Sequence, residues 1–125
     1  MIKLDYHSRL PIYRQIKESI IELIMLGAFP ADSQLPSVRS LAVELGINPN
    51  TIQKAYQELE NENVIYTIAG RGSFVRGRSF AGAQMREKIF SSLSGLLKEA
   101  KTADIGIDEI ISIVQQEYSE VKKND

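Results

Sequence analysis

The chain of 125 residues has no cysteine, no tryptophan and a single histidine. Without thiols there can be neither a disulfide framework nor a thiolate metal site, and a reducing compartment, the cytoplasm, is the expected location. His7 has no companion ligands, so it reads as a surface or packing residue rather than a metal ligand. The acidic groups Glu58, Glu60 and Glu62, and Asp108 with Glu109, likewise lack histidines and read as solvated helix faces. Long apolar runs are missing too: the most hydrophobic stretch, Ile20 to Phe29, is shorter than a bilayer span and contains Glu22. The opening MIKLDYHSRLPIY carries no signal-like apolar core. Neither secretion nor membrane association is expected. No phosphate-binding loop and no activated serine or lysine constellation occurs, which argues against an enzyme and against a bound cofactor.

An excess of charge of one sign is absent as well. The net charge is −1, with nine basic against eight acidic residues over positions 1–78 and six against eight over 79–125. Domains that bind nucleic acid usually show a basic surplus that releases counterions from phosphate. Any such site here has to be local, and the residue pattern has to reveal it.

What is present is helical periodicity interrupted at short intervals. Pro11, a good first-turn residue, opens a helix whose face is Ile12, Ile16, Ile20, Leu23 and Ile24, with Gly27 as its stop. The stretch from Ala28 to Pro36 contains two prolines around Asp32 and Ser33 and reads as a loop. Ser37 then caps a second helix, with Val38, Leu41, Ala42 and Leu45 at i, i+3, i+4, i+7 and Gly46 at its end. After Ile47, the pair Asn48-Pro49 starts a third helix almost at once.

This third helix has two unlike faces. Ile52, Ala55, Tyr56 and Leu59 repeat at core spacing, while Asn50, Gln53, Lys54 and Gln57 point away from them. Asn63 tolerates the left-handed backbone that closes a helix. Val64 to Ile68 and Ser73 to Arg76 read as two strands joined by Ala69-Gly70-Arg71-Gly72.

Three helices, the last two meeting at a tight turn, followed by a hairpin, are the order of a winged helix-turn-helix. A helix anchored by one face can lay the other into the major groove, where Asn and Gln match adenine edges and Lys matches guanine. Arg39 lies in the first turn of the second helix, where the helix dipole favours an acidic residue. A phosphate contact explains it better than packing does. Arg71, between two glycines at the hairpin tip, suits a backbone or minor-groove contact. The bland alternatives are that these arginines sit in surface ion pairs and that the polar stripe is merely solvated. A winged helix can also serve as a protein-interaction module, which would call for an apolar outer face on the third helix.

The run Leu35-Pro36-Ser37-Val38-Arg39-Ser40-Leu41-Ala42, then Asn48-Pro49-Asn50-Thr51-Ile52, Ala55-Tyr56, Leu59-Glu60 and Gly70-Arg71-Gly72-Ser73-Phe74-Val75, closely resembles the DNA-binding domain of GntR regulators. Residues 8 to 77 carry the match. The resemblance implies that Ser37, Arg39, Asn48, Pro49, Asn50, Thr51, Gln53 and Lys54, with Gly70, Arg71 and Gly72 of the wing, face double-stranded DNA. Asp32 and Asn63 depart from the pattern, because each replaces a customary glycine. Both residue types tolerate a left-handed backbone.

From Ser79 onward the period is again helical: Met85, Ile89, Leu93, Leu96, Leu97 and Ala100, then, after a break between Thr102 and Gly106, Ile107, Ile110, Ile111, Val114, Tyr118 and Val121. Asp108 is the candidate cap of the last helix, with Ile107 outside it as a staple. The short tail resembles that of the YtrA subfamily, which implies dimerisation through the two C-terminal helices and regulated genes that often include transporters. Stripes this broad on an isolated helix pair need a partner surface. The expected fold is therefore mainly α, in the α+β sense: a winged helix-turn-helix over residues 1–78 and a two-helix dimerisation segment over 79–125, with Met85, Ile89, Leu93, Leu96, Leu97, Ile110, Ile111, Val114 and Tyr118 at the dimer contact. The expected function is a homodimeric repressor reading an inverted repeat. An effector, if the protein takes one, would find apolar space among Met85, Ile89, Phe90, Leu93, Ile111, Val114 and Tyr118.

Overall fold

The computed structural model describes residues 2–123, with side chains described through Ser119. Seven elements follow one another: α1 (Ile12–Met25), α2 (Val38–Leu45), α3 (Pro49–Asn61), β1 (Ile65–Ile68), β2 (Gly72–Val75), α4 (Arg78–Thr102) and α5 (Ile107–Lys123). Two compact units are formed, Met1–Glu87 and Lys88–Asp125, with α4 contributing residues to both.

One local device ends the first four helices. The residue after the last turn is left-handed at Gly27, Gly46, Asn63 and Asp104, and the next amide reaches back five residues: Ala28 to Leu23, Ile47 to Ala42, Val64 to Leu59 and Ile105 to Ala100, all at 2.9–3.0 Å. These bonds satisfy carbonyls that the helix itself leaves free. Asn63 has φ 62° and Asp32 has φ 64°. Both departures from the family pattern therefore occupy positions where the backbone is left-handed, as glycine would be. Asp32 has a second use, because its Oδ1 accepts the Tyr66 hydroxyl at 2.7 Å. That bond raises the pKa of the phenol.

In the first unit the apolar stripes of the three helices converge. Ile16, Ile20 and Ile24 of α1, Leu41 of α2, and Ile52, Ala55, Tyr56 and Leu59 of α3 are buried together with Leu35, Val64, Ile65, Val75 and Ala81. Burying a large aliphatic side chain contributes roughly 1.5–3 kcal/mol, so this cluster is what makes the folded state favourable. β1 and β2 pair antiparallel in the register Ile65–Val75, Tyr66–Phe74, Thr67–Ser73 and Ile68–Gly72. Only the end near Ile65 and Val75 reaches the core; Ile68 is exposed.

Two expectations are corrected in this unit. The segment from Ala28 to Pro36 is more than a loop, because Asp32 and Leu35 donate to Val75 and Ser73 while Val75 donates back to Ser33. It forms an irregular third edge of the hairpin, with Gln34 bridged to Phe74. The carboxylates of α3 are not a solvated face either. Lys17 of α1 reaches Glu58 at 3.1 Å and also pairs with Glu62, while Glu60 accepts the Thr67 hydroxyl at 2.6 Å. Burial works to lower the Lys17 pKa, but the hydrogen bonds and charges of Glu62 and Glu58 outweigh it and the net direction is upward. Their partners lie 41 and 45 positions away, beyond any local pattern.

In the second unit, Ile89, Leu93, Leu96 and Leu97 of α4 and Ile107, Ile111, Ile113, Val114 and Tyr118 of α5 are exposed within the single chain. The side chain of Val121 lies outside the described residues. The α5 helix begins at Ile107, with Glu109 and Ile110 both donating to the Gly106 carbonyl. Asp108 is thus a first-turn acidic residue and not the cap, since the left-handed stop at Asp104 leaves Gly106 to open the new helix. An open cleft of about 610 Å3 is lined by Leu97, Ala100, Lys101, Asp104, Ile105, Ile107 and Ile110. None of these residues belongs to the set expected to surround an effector.

Tyr56 ties the core to the helix-turn-helix. It is 4% exposed, and its hydroxyl donates to the Pro36 carbonyl at 2.7 Å. Burial raises its pKa above the ordinary 10.0. Tyr56→Phe is expected to cost about 1 kcal/mol and lower the melting temperature by roughly 4–8 °C. Because the folded-state pKa is the higher one, this group's contribution is complete below pH 10 and is lost as the pH rises above it. In thermal melts across that range the wild type should lose up to about 1.4 kcal/mol per pH unit more than Tyr56→Phe.

Candidate nucleic-acid interface

Between α2 and α3 only Gly46, Ile47 and Asn48 intervene. Gly46 supplies the left-handed turn at φ 67°, and the Asn48 side chain accepts the Asn50 amide at 2.8 Å to cap α3. Pro49 occupies the first turn, where its missing amide hydrogen costs nothing. At the start of α2 the Ser37 hydroxyl accepts the Ser40 amide at 3.1 Å. The side-chain oxygens of Ser37 and Asn48, two expected DNA-facing residues, are therefore each committed to a helix cap.

With the apolar side of α3 sealed, Asn50, Gln53, Lys54, Gln57 and Asn61 are all exposed on the outside, and Thr51 is half-buried beside them. Asn61, which the sequence reading did not single out, extends the stripe and accepts Gln57 Nε2 at 3.1 Å. Lys54 does not stand free on this face. Its ammonium lies 4.0 Å from the centre of the Tyr13 ring, drawn to the flank of α3 that packs on α1 by attraction to the aromatic face. Tyr13 was missed because nothing in a linear pattern links the first turn of one helix to the middle of another.

Arg39 is exposed in the first turn of α2. Arg71 is exposed at the hairpin tip, where its amide closes a turn on Ile68 at 2.9 Å and its neighbours Gly70 and Gly72 have φ 79° and 116°. Among the described residues neither arginine has a carboxylate partner. The ion-pair alternative therefore has no support, and both guanidinium groups are available to an external anion. Also among the described residues, no group of three or more His, Asp or Glu side chains gathers to hold a metal ion, and no helix is long and apolar enough to cross a membrane.

The profile of bacterial regulatory proteins of the gntR family matches residues 12–75, from the first residue of α1 to the last of β2. The chain belongs to the GntR family. It is 35% identical to the HTH-type transcriptional repressor YtrA of Bacillus subtilis (strain 168) over the whole length of both proteins. A GntR family transcriptional regulator from Listeria monocytogenes has a similar solved structure, with a TM-score of 0.75 and 35% identity over 90% of this chain and 98% of that one. The DNA-binding domain of AraR, solved in complex with its operator ORE1, superposes with a TM-score of 0.52 and is 32% identical over 60% of this chain and 92% of its own. This GntR chain is accordingly a winged-helix, DNA-binding transcription regulator, and its family is a regulatory rather than an enzymatic one.

The cap on α3 of this GntR protein can be tested directly. Asn48→Ala should shift the urea midpoint downward by the equivalent of about 1 kcal/mol with an unchanged slope, whereas Asn48→Asp should hold it. Equal midpoints for the alanine variant and the wild type would show that the Asn48 oxygen does not stabilise the helix.

Proposed function

We propose that the protein is a cytoplasmic homodimeric repressor that reads an inverted-repeat operator and controls an operon containing transporter genes. The observation that carries the DNA reading is the outer face of α3. It is wholly polar, it stands opposite a sealed apolar face, and it starts at the capped turn after α2. Asn50, Thr51 and Gln53 are the residues nearest the start of α3 that offer groups to base edges, with Gln57 further along. Arg39 and Arg71 flank that face in the chain's layout as phosphate or minor-groove contacts. The main-chain groups around Ser37, Asn48, Pro49, Gly70 and Gly72 serve close approach to the DNA backbone rather than base readout. The ammonium of Lys54 would have to leave the Tyr13 ring to reach a base or phosphate. A polar face of this kind gives a protein-interaction role no apolar surface to use.

The apolar residues left exposed on α4 and α5 support the dimer. Large exposed apolar side chains repeated along two successive helices suit an interaction surface, and Ile89, Leu93, Leu96, Leu97, Ile111, Val114 and Tyr118 are among them. Ile110 is half-buried beside the cleft, and Met85 is half-buried against the core of the first unit, so these two contribute less area to a partner than their position in the stripe implies. Support for repression comes from the similarity to the repressor YtrA, and support for transporter targets from the resemblance of the C-terminal helical segment to that of the YtrA subfamily.

Selection from a random duplex library at two salt concentrations should enrich a palindrome whose half-sites lie roughly one helical turn apart. Arg39→Ala should weaken binding to all sequences alike and reduce the salt slope by about 0.9, whereas Gln53→Ala should relax preference at one position by roughly 1–3 kcal/mol. Enrichment of no motif by the folded dimer would overturn the sequence-reading function, and an Arg39 variant altered only in base preference would overturn the phosphate assignment. For the dimer, Ile111→Glu places a charge on a surface already exposed in the protomer. It should convert a sedimenting dimer to a monomer while the amide resonances of the α1–α3 core keep their positions, and persistence of the dimer would remove α5 from the contact.

A further inference from the structure

The hairpin tip is held by a residue that neither the α3 face nor the arginine pattern brings into view. The peptide of Arg71 is fixed at both ends: its N–H donates to Ile68 at 2.9 Å, and its carbonyl accepts Gln34 Nε2 at 2.8 Å. Gln34 comes from the irregular edge that the segment after α1 adds to the hairpin, with main-chain bonds on either side of it from Leu35 to Ser73 and from Val75 to Ser33. Its backbone is therefore anchored on the sheet while its side chain reaches outward along it. Gly72 completes the arrangement. Its φ of 116° disfavours any side chain, and a Cβ there would stand 2.8 Å from the same Gln34 nitrogen. The tip is thus built so that an amide from position 34 passes across position 72 and closes on the carbonyl of position 71.

We propose that Gln34 is a positioning residue for DNA binding, one that holds the wing tip in the conformation from which Arg71 contacts DNA. The proposal rests on the reading that Arg71 faces DNA. A tip in which Arg71 stands between two glycines, Gly70 and Gly72, has many conformations available, and ordering it on binding opposes association. A side chain that orders it beforehand removes that opposition. The segment holding Gln34 continues through Leu35, Pro36 and Ser37 into α2 and Arg39. The same short stretch of chain therefore sets the wing tip at one end and the start of α2 at the other.

The test uses the full-length protein and two labelled duplexes spanning about three helical turns, one of mixed sequence and one carrying the palindrome enriched from the library. Gln34→Met keeps the length and removes the donor. It should weaken anisotropy-measured binding to the palindrome about fivefold, the effect of one hydrogen bond. In an Arg71→Ala background the same change should alter binding by less than about twofold, because the positioned group is gone. Backbone order parameters at Arg71 and Gly72 should fall from near 0.85 to below about 0.6 in the free Gln34→Met protein. If Arg71→Ala weakens binding but Gln34→Met does not, the clamp is wrong while the wing reading stands. If Gln34→Met costs the same with and without Arg71, Gln34 acts through its own contact with DNA and the proposal fails. If Arg71→Ala leaves binding to both duplexes unchanged, the wing reading itself falls and the proposal with it.

Discussion

Ile52, Ala55, Tyr56 and Leu59 attach α3 to the rest of the domain, and all four are at most 4% exposed. Residues three and four apart share a helix face, so immobilising this face leaves the opposite one no freedom to roll. The direction in which Asn50, Gln53 and Gln57 point is therefore a consequence of packing on the other side of the helix. A change of one methylene under Leu59 or Ile52 would be felt at the outer face, because interiors packed at crystal-like density transmit displacement instead of absorbing it. The helix is also restrained along its length by polar contacts from three separate segments: Lys17 and Tyr13 of α1, Thr67 of β1 and the carbonyl of Pro36. Each is worth little alone at a partly exposed site. Acting from different sides, they restrict rotation and translation that an apolar seat alone, being non-directional, would tolerate.

The wing is organised on a related plan with less burial. Only the Ile65 and Val75 end of the hairpin is packed into the core, and a two-stranded hairpin is marginal by itself. The segment after α1 supplies the missing support through main-chain bonds to Ser73 and Val75, and through Asp32, which turns left-handed and receives the Tyr66 hydroxyl. Tyr66 stacks on Phe74 with ring centres 5.6 Å apart, and Arg76 lies over both Tyr66 and Phe80. An exposed sheet of two short strands is in this way stiffened by cross-strand aromatic contact and by a third edge, so that a tip rich in glycine projects from a fixed base.

The second unit follows a different logic. The α4 helix ends there in the same left-handed stop, at Asp104, and α5 opens with two acidic residues in its first turn, yet the large aliphatic side chains remain accessible. Isolated helices of this length draw little stability from propensity alone and depend on burial of an apolar face. Among the described residues the single chain leaves much of that face exposed, and in the proposed dimer a partner surface would cover it. In a regulator whose target is two-fold, the same association would bring two recognition helices into register.

Much of the layout was legible in the sequence because it is set by local rules. The limits of α2 and α3 follow from Ser37, Gly46, Asn48 and Pro49, whose effects on capping and turning operate within four residues. The two faces of α3 follow from its 3.6-residue period, and the hairpin from its glycines and β-branched residues. What the sequence left undecided are contacts between distant segments. The pairing of Lys17 with Glu58 and Glu62, the seat of Lys54 on Tyr13, and the reach of Gln34 to Arg71 join residues 37 or more positions apart. The start of α5 was misplaced because Asp108 and Gly106 are both plausible openings, and only the left-handed turn at Asp104 selects between them. The chain's one-dimensional pattern determined which residues would be helical, which would be apolar and which would be offered outward. The tertiary structure alone decided which of those outward groups are already held by a neighbour, because that depends on the crossing of elements, which no local spacing encodes.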